Sequence, residues 1–132
     1  MQGSFFHVIH PVGLRPMPDK NEELVAELCA VYFHSDVTFV LRGTNTTPDI
    51  KVLRTRQFWE IKNIRGASKH TVEDNLRKAS RQSTNVIVSL LANSKLSSKQ
   101  AENRIRHILK TQRMPLKRVL LITRSCQIID IK

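Results

Sequence analysis

The chain is poor in cysteine, glycine, aromatic and acidic residues, and each shortage closes off a class of protein. Two cysteines in 132 residues cannot build a disulfide framework, and their positions show no paired metal-ligand spacing. Cys29 and Cys126 both fall in apolar stretches, which predicts buried, reduced thiols. One Trp, one Tyr and five Phe are too few for the multi-ring platform of an RNA-recognition-motif sheet. No apolar run approaches the ~20 residues of a membrane-spanning helix. The start, Met1-Gln2-Gly3-Ser4-Phe5-Phe6, lacks the basic end and apolar stretch of a signal peptide, so passage across a membrane would need other machinery. Neither a Gly-rich phosphate loop nor a G-x-S-x-G elbow occurs.

The shortage of acid is the most informative. Twenty-two Lys and Arg against eleven Asp and Glu give a net charge of +11 and a pI near 10.4. Residues 60–118 carry fourteen of the basic residues and four of the acidic ones, a local net of +10. Such a field attracts polyanions and supplies non-specific nucleic-acid affinity. Acidic lipid is the weaker partner, because the basic residues spread over several elements and form no single amphipathic anchor.

The length suits one domain. Residues 1–18 contain Pro11, Pro16 and Pro18 and read as a short strand, Phe5 to Ile9, followed by an irregular arm; residues 19–132 form the domain proper. Asp19 with Glu22 three residues on is a capping-box start, with Val25, Leu28, Cys29 and Tyr32 as the buried stripe. Alternation from Val37 to Arg42 predicts a strand ending at Gly43. Further strands are expected over Asp49–Leu53 and Phe58–Ile64, around a turn at 54–57. A helix over Thr71–Gln82 should bury Val72, Leu76 and Ala79. Asn85–Leu91 reads as a central strand buried on both faces. Ser97 and Gln100 open a helix reaching Gln112, and Val119–Ile131 closes the chain as a hairpin. The predicted fold class is α/β: one mixed sheet flanked by helices in a single domain.

Chemistry concentrates in Thr47-Pro48-Asp49 and in Trp59-Glu60-Ile61-Lys62, whose Glu60 lies eleven residues after Asp49. Alternate strand residues share a face, so Glu60 and Lys62 project together while Trp59 and Ile61 point to the core. Asp49 begins the neighbouring antiparallel strand. Two convergent carboxylates beside the Ile61 carbonyl make an oxygen site suited to Mg²⁺ or Mn²⁺. Lys62 would orient or deprotonate an attacking water, or offset charge in the transition state. The plain alternative is a set of cross-strand ion pairs on a solvated face.

The motif and the order of elements resemble the PD-(D/E)XK superfamily. More narrowly, residues 19–131 resemble the small nuclease domains at the C-termini of contact-dependent growth-inhibition toxins, and related domains of phage and mobile-element proteins. The resemblance is carried by Glu22, Ala26 and Leu28, by the two motifs above, and by Asn75-Leu76, Ala79, Gln82-Ser83 and Asn85. It implies a restriction-endonuclease-like fold, cleavage of RNA with tRNA as the usual substrate, and an immunity protein that blocks the site. It also implies action in the cytoplasm of a target cell after delivery within a larger toxin. One position departs from the pattern: Ser89 stands where such domains often carry an acid.

Around this centre, Glu22 is a fourth acid for the site or only a helix cap, with Glu23 its alternative. Asn75 and Gln82 share one face of the second helix and either approach a scissile phosphate or meet solvent. Arg65, Lys69, Arg77, Lys78, Arg81, Lys99, Arg104 and Arg106 form the expected phosphate-binding set, with Lys110 and Arg113 beyond it. His70 is counted with this nucleic-acid-binding set, either as a participant in acid–base work or as a plain loop residue. Trp59 reads as core, with base stacking as its alternative, and His7 and His10 point to opposite sides of a strand and make no metal pair. Two rival readings remain at this level: a DNA endonuclease on the same fold, and a non-catalytic nucleic-acid-binding protein.

Overall fold

The computed structural model describes residues 5–43, 47–68 and 70–132. Seven strands form one mixed sheet in sequence order: β1 (Val8–Ile9), β2 (Val37–Phe39), β3 (Ile50–Val52), β4 (Gln57–Asn63), β5 (Asn85–Ser89), β6 (Arg118–Ile122) and β7 (Ile128–Asp130). The β1–β2, β4–β5 and β5–β6 pairs are parallel; β2–β3, β3–β4 and β6–β7 are antiparallel. Parallel neighbours need crossovers, which are supplied by α1 (Lys20–Phe33) after β1, α2 (Thr71–Ser80) after β4 and α3 (Ser98–Thr111) after β5. The mixed sheet with flanking helices is the architecture the alternation and periodicity predict.

Local chemistry fixes the helix starts. The Asp19 carboxylate accepts from the Glu22 N–H at 2.8 Å, and Glu22 accepts from the Asp19 N–H at 3.0 Å. Ser97 and Gln100 close α3 in the same reciprocal way. Each box satisfies two amides that have no partner within the helix.

Two apolar layers sandwich the sheet. On one face Val25, Ala26, Cys29 and Ala30 of α1 meet Val37, Phe39, Ile50, Val52, Trp59 and Ile61. On the other, Val72, Leu76 and Ala79 of α2 and Ala101, Ile105 and Ile108 of α3 cover Val86, Val88, Val119 and Leu121. β5 contributes to both layers and is buried throughout.

Several expectations need correction. β1 is shorter than Phe5–Ile9. β2 stops at Phe39 because β3 begins only at Ile50, leaving just the Val40 N–H to bond the Asp49 carbonyl. α2 ends at Ser80, where Arg81 and Gln82 donate to carbonyls three residues back and tighten the last turn. Tyr32 is exposed, and Phe33 takes its place in the core, 5.4 Å from the Trp59 ring. Cys126 is exposed as well: it occupies the β6–β7 turn with φ of 66°. Cys29 is buried as expected, and burial pushes its thiol up to about 12.

Candidate active site

The site grows from a break in the β3–β4 ladder. Pro48 lacks an N–H and cannot extend the pairing. Asp49 still donates its own N–H to the Trp59 carbonyl at 3.1 Å. Its side chain then supplies the next rung, with Oδ2 accepting from the Ile61 N–H at 2.8 Å. Because the N–H and C=O of one strand residue point to the same side, the Ile61 carbonyl also emerges on the Asp49 edge.

Along β4, alternation turns Glu60 and Lys62 to one side, and Lys62 Nζ lies 3.3 Å from Glu60 Oε2. Both carboxylates are deep for their type, Asp49 at 8% exposure and Glu60 at 3%. Burial, then the charge of Asp49, pushes the Glu60 carboxyl up to about 8, while Lys62 works in the opposite direction. Glu60 Oε1 is buried with no hydrogen-bond partner. A buried oxygen left unsatisfied beside a second carboxylate is stabilised by a proton or by a cation.

Arg42 completes the group. Its Nη1 is 3.3 Å from Asp49 Oδ1, and its Nη2 is 3.6 Å from Glu22 Oε2. Glu22 therefore serves two roles at once, one oxygen capping α1 and the other facing the site. Glu23 is turned away, paired with His10 at 2.7 Å. Glu22, Arg42, Asp49, Glu60, Ile61, Lys62 and Gln82 line one open cleft of about 550 Å³, with Gly43 and Thr47 at its margin. Gln82 reaches the cleft from just beyond α2.

Among the described residues no group of three or more His, Cys, Asp or Glu side chains gathers closely enough to hold a metal. The donor set is thus two carboxylates and a main-chain carbonyl. Mg²⁺ keeps much of its hydration and commonly takes only one or two protein carboxylates plus substrate phosphate. Asp49, Glu60 and Ile61 fit that pattern, and they do not fit an enclosed all-protein cage.

The remaining expected contacts separate. Asn75 is outside the cleft, its amide donating to the Thr71 carbonyl at 2.8 Å. Arg77 pairs with Glu73 at 3.1 Å and Arg106 with Glu102 at 3.0 Å. Arg104 donates to the Ala67 and Ser68 carbonyls at 3.0 and 3.3 Å and so braces the loop ahead of α2. These three arginines have partners within the protein. Arg65, His70, Lys78, Arg81 and Lys99 are exposed; Lys69 lies outside the described residues. Ser89 is buried and accepts from the Leu91 N–H.

Sequence reasoning missed Arg42 as a site residue. A signal existed, since Thr38, Val40 and Arg42 share a strand parity. Its meeting with Asp49, however, depends on the β2–β3 register. Thr47 belongs to the quoted motif, and its hydroxyl accepts from the Gly43 N–H at 3.4 Å.

Comparisons with known proteins bear on this arrangement. A family model, the contact-dependent growth inhibition CdiA C-terminal domain, matches residues 46–128, which include Asp49, Glu60, Lys62 and Gln82. No curated protein matches the chain. Among solved structures, the CdiA-CT/CdiI toxin and immunity complex from Burkholderia pseudomallei superposes with a TM-score of 0.62 at 20% identity, over 96% of this chain and 98% of that one. At that identity the likeness establishes the fold.

Proposed function

The chain belongs to the contact-dependent growth inhibition CdiA C-terminal domain family and is a growth-inhibition toxin domain, and from this premise we propose that it is a divalent-metal-dependent endonuclease. Its site would be of PD-(D/E)XK type and its substrate RNA, tRNA foremost. The observation that carries the reading is the buried, unpartnered Glu60 oxygen beside Asp49, with the Lys62 ammonium 3.3 Å from the same carboxylate. A pure nucleic-acid binder has no use for two deep carboxylates, which repel phosphate and cost desolvation.

Asp49, Glu60 and the Ile61 carbonyl would hold Mg²⁺ or Mn²⁺, which supplies Lewis acidity toward the scissile phosphate. The chain's own residues do the remaining work. Lys62, fixed by Glu60, positions the attacking water and offsets charge gathering on the phosphate oxygens. The water oxygen forms a new P–O bond and yields a proton; the opposite P–O bond breaks, and the departing sugar oxygen takes up a proton. The Ile61 amide holds Asp49 in place so that the carboxylate need not reorganise. Arg42 neutralises Asp49 and Glu22 and offers a cation to phosphate, and Gln82 provides an amide at the cleft wall. Lys78, Arg81, Arg65 and Lys99 supply the wider field that gathers a polyanion.

The growth-inhibition family supports two further expectations. The domain would act in the cytoplasm of a target cell after delivery as part of a larger toxin. An immunity protein would bind it, as one does in the Burkholderia pseudomallei complex. The test is incubation of the purified protein with tRNA, single-stranded DNA and plasmid in Mg²⁺, Mn²⁺ or EDTA. Discrete metal-dependent tRNA fragments uphold the reading. Cutting of DNA alone moves the substrate and keeps the site. Binding without cleavage in every condition defeats it.

A further inference from the structure

The two faces of the first half of the sheet are covered unequally. α1 packs against β1–β4 on one side, while α2 lies over β4 and β5 on the other. Among the described residues no helix covers the α2-side face of β1–β3 and the start of β4. The strand registers place one residue from each strand in a row across that open face: Ile9 opposite Thr38, Thr38 opposite Lys51, Lys51 opposite Phe58. Ile9 is 38% exposed and Phe58 42%. An aromatic ring left open beside a polar cleft departs from the pattern of its neighbour Trp59, which is fully buried.

We infer that Phe58, with Lys51, is a stacking platform for an unpaired nucleobase next to the scissile phosphate. Three observations point to this occupant. Lys51 Nζ stands 5.2 Å from the centroid of the Phe58 ring, which couples a phosphate-pairing cation to a flat apolar surface. Phe58, Glu60 and Lys62 follow one another on the same side of β4, about 6.7 Å per step, so a base on the ring lies beside a phosphate at Glu60. The platform is also fixed: the Phe58 carbonyl accepts from Ser83 Oγ and Asn85 Nδ2, both at 3.0 Å. Ser83 follows Gln82 directly, and Asn85 opens β5.

The chemistry selects the class of substrate. A base inside a duplex has both faces taken by its neighbours, whereas one in a loop or an unpaired end offers a face to an aromatic ring. A single ring with one adjacent cation reads no base edge, so it gives a preference for unpaired segments with little preference for sequence. With only one such ring beside the carboxylates among the described residues, it would set the position of the cut relative to an unpaired base. For its purpose the inference rests on the nuclease reading; for binding it stands alone.

The test titrates fluorescein-labelled unpaired RNA, unpaired DNA and duplex RNA in EDTA against wild type, Phe58→Ala, Phe58→Trp and Lys51→Gln. Phe58→Ala should weaken binding of unpaired strands roughly tenfold or more and leave the duplex nearly unchanged. Phe58→Trp should keep the affinity, and its fluorescence should be quenched on binding; the buried Trp59 gives the unresponsive background. Lys51→Gln should weaken binding and reduce its salt dependence. The same loss with unpaired DNA supports the platform and shows that it accepts either sugar. Unchanged affinity in Phe58→Ala, an unquenched Phe58→Trp, or no binding of unpaired strands by wild type overturns it. Phe58-dependent binding without cleavage in any metal upholds the platform while defeating the nuclease reading. Wild-type cleavage with kcat and KM unmoved in Phe58→Ala does the reverse.

Discussion

Glu60 should make the metal-free protein less stable as pH rises, and the structure sets the scale. In an unfolded chain its carboxyl titrates near 4.5; in the fold, burial and the Asp49 charge hold it near 8. The folded state therefore favours the protonated form. The sign follows from linkage: the favourable contribution is full below pH 4.5, declines above it, and is lost once pH passes 8. At ~1.4 kcal/mol per pH unit, the loss across this window is on the order of 5 kcal/mol. Against a total stability of roughly 5–15 kcal/mol, that is large enough to lower Tm by roughly 10–20 °C. The assay is thermal unfolding in EDTA from pH 5 to pH 9, for wild type and Glu60→Gln. The neutral isostere keeps the shape and removes the titration, so its profile should be much flatter. Adding Mg²⁺ or Mn²⁺ at pH 8–9 should restore stability to wild type and not to Glu60→Gln. Parallel profiles for the two proteins would refute the assignment of a strained, buried acid at this position.

Other predictions follow from particular contacts. Asp49→Ala leaves the Ile61 N–H without its partner, so it should cost about 1–3 kcal/mol in chemical denaturation and abolish metal-dependent cleavage in the gel assay. Lys78→Gln with Arg81→Gln should reduce the salt slope of RNA binding by up to about 1.4, at ~0.7 per single-strand phosphate contact. Arg104→Ala should instead lower Tm and leave that slope almost unchanged, because its guanidinium braces the 67–68 carbonyls. With a thiol reagent at neutral pH, exposed Cys126 should react in the native protein. Cys29, whose thiol is pushed up to about 12, should react only on unfolding; simultaneous reaction of both would contradict the burial.

Much of the candidate site was legible because its parts are local. Glu60 and Lys62 share a face through strand alternation alone, and the Asp19–Glu22 box is a four-residue pattern that needs no tertiary context. What the sequence concealed depends on partners distant along the chain. Arg42 becomes a site residue only through its register with Asp49. Arg104 is consumed by a loop 36–37 residues earlier. Arg77 and Arg106, by contrast, have acids four residues before them, a pairing whose spacing is visible in the sequence. Helical periodicity marked Tyr32 for the core, whereas packing on Trp59 selected Phe33. Apolar neighbours suggested that Cys126 was buried, but a turn with positive φ carries it to the surface. Phe58 was invisible for a related reason: its exposure depends on where α2 ends, and no local pattern states that.

Asp49 and Glu60 are proposed to act as a metal-dependent cleavage centre, and one comparison tests that role most directly. Wild type and Glu60→Ala, first shown to be folded and to bind RNA equally in EDTA, are given tRNA with Mn²⁺. Discrete fragments from wild type alone, absent in EDTA, are the predicted result. Fragments that persist in Glu60→Ala, or that form equally well without metal, would contradict it.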